Sequence, residues 1–272
     1  MKEKVTALLI LHNEENIIGR ALKSVKDVVD EIFIIHDGKC KDNTLKICKK
    51  YTNKIFTRPH TGRASLQMIY AFKKIKTGWI LKLDADEFLS EKLRKNFRTL
   101  INNPRADGYL LLWPWWNGKK YITKNFPHKM ALFRSSKISY LNFPGNDEPE
   151  VIGNVIETNL HLEHQPNYNN FSWKNLMKRG HKRAKDHAEW TLKDFNKLEK
   201  FQYRGKDFKL ALRLRRDFTL LAFFIFPPAA FFKIINTGWK EGWPVLKFAM
   251  ADFIYQGVVC YYILKLKLLK KI

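Results

Sequence analysis

The sequence predicts an α/β protein, a parallel sheet covered by helices, followed by a basic helical region. Three observations carry this reading. Roughly the first hundred residues alternate short apolar runs with amphipathic stretches. The apolar run Trp79-Ile80-Leu81-Lys82-Leu83 ends abruptly in Asp84-Ala85-Asp86-Glu87. After about residue 166 the composition shifts to 22 Lys and Arg against 8 Asp and Glu. A chain of 272 residues accommodates one α/β domain with an appended region, or two small domains. Its 45% hydrophobic and 14% aromatic content excludes a wholly disordered chain, and the net charge of +24 calls for an anionic partner. Nucleic acid, an anionic membrane surface and a phosphorylated substrate all meet that requirement.

In order, Val5 to Leu11 reads as the first strand, Asn13 as the cap of a helix running to about Val25, and Glu31 to Ile35 as the second strand. The turn Asp37-Gly38-Lys39 follows. A helix over 43–50, a short strand over 54–56 and a helix over 63–76 lead to the strand that carries Asp84 and Asp86. Each acidic candidate therefore sits just past the carboxyl end of a strand, where open α/β sheets bind ligands. Glu14, Asp37 and Asp86 can share one pocket there. Carboxylates at an exposed strand tip suit a divalent cation held against phosphate, since hard oxygen ligands favour Mg²⁺ or Mn²⁺. The plain alternatives are first-turn helix electrostatics for Glu14 and Glu15, turn chemistry for Asp37, and capping of the helix near Ser90 for the Asp84 to Glu87 run.

Cys40, Cys48 and Cys260 are odd in number and far apart, which fits neither a disulfide framework nor a zinc site and points to a reducing, cytosolic setting. The segment before His12 lacks the long apolar region of a signal peptide, so no export is expected.

The order Leu11-His12-Asn13-Glu14-Glu15-Asn16, then Asp37-Gly38-Lys39-Cys40-Lys41-Asp42-Asn43-Thr44, then Trp79 to Glu87 resembles the family 2 glycosyltransferases of the GT-A fold. It is most similar to the branch that builds lipopolysaccharide cores and related surface glycans. The resemblance covers about residues 4–165. It implies a Rossmann-like nucleotide-diphospho-sugar transferase domain over 1–165; the composition adds a basic region of amphipathic and apolar membrane-associating helices over 166–272. It further implies that His12, Asn13, Glu14 and Asp37 hold the nucleobase and ribose of a donor sugar nucleotide, a UDP-sugar foremost. Asp84 and Ala85 would lie on the nucleoside side, Arg63 would face the diphosphate, and Asp86 would ligate a divalent metal, Mg²⁺ or Mn²⁺. The family pattern Asp-Gly-Ser-Thr-Asp is interrupted here by a Lys-Cys-Lys insert, which leaves the role of Asp42 open.

The middle section should complete the site. Strands are expected over 108–113 and 129–134, with Pro114-Trp115-Trp116-Asn117-Gly118 breaking the first. The loop Pro144 to Glu150 concentrates three carboxylates and is the best place for the general base of an inverting transfer. Glu148 matches the family's glutamate, with Asp147 and Glu150 as rivals. In Leu160-His161-Leu162-Glu163-His164 the two histidines fall on opposite faces of a strand, and the resemblance places His164 at the metal or diphosphate.

Residues 171–200 read as a basic amphipathic helix, and Phe218 to Ile235 as an 18-residue apolar run with Pro227 and Pro228 at its centre. The prolines are expected to break the helix, favouring a surface-lying or re-entrant hairpin over a span. Basic flanks and aromatics suit monotopic attachment to an anionic leaflet at the cytoplasmic face of the membrane. The whole therefore reads as an inverting, metal-dependent transferase acting from a nucleoside-diphosphate sugar onto a glycan or lipid-linked acceptor. The rival enzyme is a nucleotidyltransferase, although the expected Gly-rich basic phosphate loop is replaced by Leu11-His12-Asn13-Glu14. A basic membrane or nucleic-acid binder is the rival from another class; no nucleic-acid motif is present and nucleic acid is not expected as a partner.

Overall fold

A computed structural model describes residues 3–62, 64–122, 127–139, 149–193 and 206–269. Two compact units form: the described residues up to Tyr168 apart from 119–122, and the remainder.

The first unit is an eight-stranded mixed sheet. Its strands are β1 (Val5–Leu11), β2 (Glu31–Asp37), β3 (Ile55–Arg58), β4 (Trp79–Leu83), β5 (Glu87–Leu89), β6 (Gly108–Leu112), β7 (His128–Arg134) and, beyond a small β8 (Ile138–Ser139) and β9 (Glu150–Val151) pair, β10 (Val155–His164). The order is β3-β2-β1-β4-β7-β6-β10-β5. β3, β2, β1 and β4 run parallel, whereas β7 is antiparallel to both its neighbours.

The alternation of β1 explains the layers. Val5, Ala7, Leu9 and Leu11 face one side with Ile18, Leu22 and Val25 of α1 (Ile18–Val25) and Leu93 and Phe97 of α4 (Glu91–Ile101). Leu8 faces the other side with Ile80 of β4 and Met68 and Ala71 of α3 (Ala64–Lys74). A strand covered on both faces is apolar nearly throughout, as β1 is; its one polar residue, Thr6, is buried with its hydroxyl 2.8 Å from that of Thr77. β2 and β4 flank β1 on opposite sides, so their connections diverge and open a crevice at the carboxyl ends.

Two expectations change in this unit. The helix predicted from Asn13 begins only at Ile18, because the backbone N–H groups of Glu14 and Glu15 are taken by the side chains of Thr44, the first residue of α2 (Thr44–Cys48), and of Asp42 just before it. Asn13 itself takes a left-handed φ of 56°. The helix after β5 is capped by Ser90, whose Oγ accepts from Leu93 N at 3.2 Å, so Asp84 and Asp86 are not needed as its cap.

The second unit contains α5 (Trp173–Lys193), α6 (Lys206–Asp217), α7 (Thr219–Gly238) and α8 (Trp243–Leu268). Ala184 and Ala188 of α5 bury against Val259 and Ile263 of α8. The expected break at the prolines does not occur: α7 runs through Pro227 and Pro228. Proline removes backbone donors and crowds the preceding turn, and here packing compensates, with Pro227 buried and α8 alongside. α7 and α8 turn back on each other through Trp239–Glu241 and Gly242, which has φ 73°. At Gly238 a Cβ would lie 2.8 Å from Val245 Cγ1, so only glycine lets the two helices meet that closely.

Candidate active site

The loop after β1 is tied to the segment 41–44 by hydrogen bonds, two from its backbone and one to the Asn13 side chain. Glu14 N donates to Thr44 Oγ1 at 2.6 Å, Glu15 N to Asp42 Oδ2 at 3.1 Å, and Lys41 N to Asn13 Oδ1 at 2.8 Å. Asp42 also accepts from Thr44 N at 2.9 Å. Burial acts against ionisation of Asp42, but these donors outweigh it and hold the carboxyl down at about 2. Asp42 thus clasps two loops together. Glu14 is pushed up to about 7, first by burial and then by Asp86, with Asp42 and Asp84 adding to the repulsion. Its carboxyl therefore shares the field of the Asp84 to Glu87 turn.

Asp37 ends β2 and anchors the turn after β3. Its Oδ1 accepts from Thr61 N at 2.8 Å, Thr61 Oγ1 at 3.1 Å and Gln67 Nε2 at 2.6 Å. Its Oδ2 accepts from Gly62 N at 3.1 Å and lies 3.0 Å from His60 Nδ1. Burial would raise its pKa, yet the donors prevail and lower it. His12 Nδ1 donates to Asp37 O at 2.6 Å, and the His12 and His60 rings stand 4.7 Å apart. His12, Asp37 and His60 are close enough to share a cation. Such an ion would compete with donors already satisfying both carboxylate oxygens of Asp37, so the cluster is better described as a hydrogen-bonded edge of the crevice.

At the tip of β4 the side chain of Asp84 is 45% exposed, its Oδ2 2.7 Å from Lys129 Nζ and its Oδ1 3.6 Å from Lys82 Nζ. Both lysines are buried. Lys82 and Asp84 are two residues apart, which on a strand keeps them on one face. Burial opposes the Asp84 charge, but the two ammonium groups lower its pKa below the usual carboxylate range. Glu87 is wholly buried; its Oε2 accepts from Asp84 N at 2.8 Å and its Oε1 meets Lys129 Nζ and Trp113 Nε1. Desolvation, with Asp84 nearby, raises the Glu87 pKa, while Lys129 is held more firmly protonated by the two acids than its burial would allow. Ala85 is buried between the acidic residues, as a small side chain at a tight turn can be.

Asp86 and His164 meet. Asp86 Oδ2 lies 3.4 Å from His164 Nε2, and Gln165 N donates to Asp86 O at 2.9 Å. Arg20 clips the same point, donating to Gln165 Oε1 at 2.6 Å and to Gln165 O at 2.9 Å while stacking over Phe88 at 4.2 Å. His164 is buried at the end of β10 and stacks on Trp113.

Not every candidate converges. Glu150, on β9, pairs with Ser139 of β8. The adjoining Val151 packs at Gly108, the first residue of β6, beside the β7 residues that pair with Trp79. That is the end of the sheet where β4 begins, opposite the end that carries Asp84. Arg63, Asp147 and Glu148 lie outside the described residues. Sequence reasoning missed Lys82, Lys129, Trp113 and His60. The two lysines carried a readable signal, since a lysine inside an apolar strand needs a carboxylate partner.

Helices on both faces of a mostly parallel sheet, with carboxylates gathered at the ends of β1, β2 and β4, place this protein among the α/β proteins whose site lies at a topological switch point. Residues 6–159 match the family model "Glycosyl transferase family 2", and the chain belongs to that family. It is 32% identical over 110 residues to an uncharacterized glycosyltransferase of Rickettsia conorii, and 34% over 108 residues to one of Rickettsia felis. Each match covers 40% of this chain and 38% of the relative, so it spans under two fifths of those proteins. Among solved structures it is similar to the mannosyltransferase PcManGT from Pyrobaculum calidifontis in complex with GDP-Man and Mn²⁺. That match has 14% identity and a TM-score of 0.54, over 97% of this chain and 88% of that one. It is also similar to S. aureus TarS 1-349 in complex with UDP-GlcNAc, at 13% identity and a TM-score of 0.50, over 98% of this chain and 92% of that one. At these identities the likeness establishes the GT-A fold.

Proposed function

We infer that this protein is an inverting, divalent-metal-dependent glycosyltransferase that moves a sugar from a nucleoside-diphosphate donor, a UDP-sugar foremost, to a glycan or lipid-linked acceptor in surface-glycan biosynthesis. The observation that carries the reading is the Asp86 to His164 approach of 3.4 Å beside Asp84 and Glu14 at the strand ends. The nitrogen of a buried imidazole and a carboxylate oxygen this close suit one edge of a divalent-cation site, and the gathering of Glu14, Asp84 and Asp86 at these strand ends fits a cation, Mg²⁺ or Mn²⁺. When bound, the cation neutralises charge on the departing diphosphate.

The chain's own residues supply the remainder. Asp84, oriented by Lys82 and Lys129, faces the nucleoside side next to Ala85. The crevice edge of His12, Asn13, Glu14 and Asp37 receives the base and ribose, and Arg63 pairs with phosphate. Glu148 takes the proton of the attacking acceptor hydroxyl, with Asp147 as its neighbour and rival; the placement of Glu150 at the other end of the sheet makes it the weakest of the three.

The domain reading is a catalytic domain over 1–165 and a membrane-associating region over 166–272, attached to an anionic leaflet at the cytoplasmic face. Among the described residues one helical stretch, Thr219–Glu241, is long and apolar enough to cross a membrane. Contact with lipid is supported by its exposed apolar side chains: Leu220 is 67% and Phe224 72% exposed, and Leu221, Phe223, Ile225 and Phe232 are exposed as well. Trp239 and Trp243 are exposed at the turn.

The test is calorimetric titration with UDP, GDP and dTDP, each with Mn²⁺ and with EDTA. Metal-dependent binding of one nucleotide, lost in Asp86→Ala, is expected. Absence of binding to all three would overturn the reading.

A further inference from the structure

His164 presents an unusual arrangement for an imidazole at a cation site. It is 5% exposed, its Nε2 faces Asp86, and its Nδ1 has no hydrogen-bond partner among the described residues. A histidine that ligates metal is ordinarily oriented through its other ring nitrogen, which donates to a carboxylate, carbonyl or water. Here the ring is held by its face instead. The indole of Trp113 stacks on it with centroids 4.1 Å apart and planes inclined by 24°.

Trp113 is itself fixed at both ends. Its backbone N donates to Pro127 O at 2.7 Å, which places it just beyond β6, and its Nε1 donates to Glu87 Oε1 at 2.6 Å. Glu87 belongs to the acidic turn: its other oxygen accepts from Asp84 N, and Lys129 joins its carboxylate to that of Asp84. A continuous path of contacts therefore runs from Asp84 through Glu87 and the indole to the imidazole opposite Asp86.

We propose that Trp113 is a positioning residue that sets the plane of His164 by stacking, with Glu87 registering the indole to the Asp84 to Asp86 turn. The proposal rests on the reading of Asp86 and His164 as the cation site. Stacking restrains the tilt of a ring while leaving both nitrogens available, so the site is preorganised although Nδ1 lacks a second hydrogen bond. Of the two features of the indole, its face acts on His164 and its N–H acts only on Glu87, and substitutions separate them.

The experiment is titration of the full chain with Mn²⁺ alone, followed by electron paramagnetic resonance, for the wild type and for Trp113→Phe, Trp113→Leu, Asp86→Ala and His164→Ala. Trp113→Phe keeps a ring on the imidazole and is expected to hold Mn²⁺ within about threefold of the wild type; Trp113→Leu is expected to lose about 10- to 100-fold, the range seen when groups behind a metal ligand are removed. In turnover, the Mn²⁺ concentration for half-activation should rise in Trp113→Leu while the donor KM at saturating Mn²⁺ stays put, a split that general loosening of the fold would not produce. A folded Trp113→Leu with wild-type Mn²⁺ affinity overturns the proposal, as does a tenfold loss in Trp113→Phe. Should Trp113→Leu not fold, Trp113→Met, which also removes the ring but keeps apolar bulk, is read in its place by the same criterion. Mn²⁺ binding that Asp86→Ala and His164→Ala leave unchanged removes the cation-site reading itself and the proposal with it, a result distinct from both Trp113 outcomes.

Discussion

Lys129 Nζ lies 2.7 Å from Asp84 Oδ2, and the same buried ammonium reaches the wholly buried Glu87, so one lysine on β7 holds two acids delivered by β4 and β5. Removing it leaves the wholly buried Glu87 without its hydrogen-bonded cation, with Lys82 left near the pair. Lys129→Met should cost about 3–5 kcal/mol of stability, the usual penalty for breaking a buried pair from one side. Urea unfolding checks this, and a loss below about 1 kcal/mol would show that Glu87 is neutral and needs no counter-charge.

Asp42 should govern part of the acid limb of stability. Its ordinary pKa of 3.8 is held at about 2 in the fold, so the unfolded chain binds this proton more readily. The resulting stabilisation is present above about pH 4 and lost as pH falls toward 2. In Asp42→Asn the slope of stability against pH over that interval should flatten; an unchanged slope in denaturant titrations would mean the clasp to Glu15 and Thr44 is not carried by the charge.

Glu14 acts in the opposite sense. Its ordinary value of 4.5 is raised to about 7, so the folded chain holds the proton more tightly than the unfolded one. Its contribution is complete below about pH 4.5 and disappears as pH rises through 7. Glu14→Gln should become more stable relative to the wild type as pH increases from 5 to 8. Thermal melts across that range test the sign, and a constant difference would mean that neither burial nor Asp86 raises the Glu14 pKa in the fold.

The exposed apolar side chains of α7 predict sedimentation with vesicles of anionic lipid that weakens with salt, and no comparable binding to DNA. Leu220→Ser combined with Phe224→Ser removes two exposed apolar side chains and should lower vesicle partitioning about tenfold or more, given about 1.5–3 kcal/mol for each such side chain buried. Equal partitioning of this variant would exclude α7 as the bedding surface.

Much of the catalytic-type unit was legible in the chain. The apolar alternation of Val5 to Leu11 and the Trp79 to Leu83 run placed β1 and β4 correctly, and the acidic residues after them fell at strand ends because that is where a buried strand must surface. The helix start at Ile18 was not legible, because it depends on Asp42 and Thr44 reaching back to the backbone of Glu15 and Glu14. Nor was the continuity of α7, where local proline chemistry argues for a break and packing along α8 overrides it.

By itself the sequence determined the periods of burial, the carboxylates past β1, β2 and β4, and the basic, apolar character of the region after residue 166, since each is a property of neighbouring residues. Tertiary structure alone decided which groups face one another. Lys129 meets Asp84 because β7 pairs antiparallel with β4, His164 meets Asp86 because β10 ends beside β5, and Trp113 covers His164 because β6 runs parallel to β10. Those encounters are set by strand order and register, which join residues tens of positions apart and leave no local period in the chain to read.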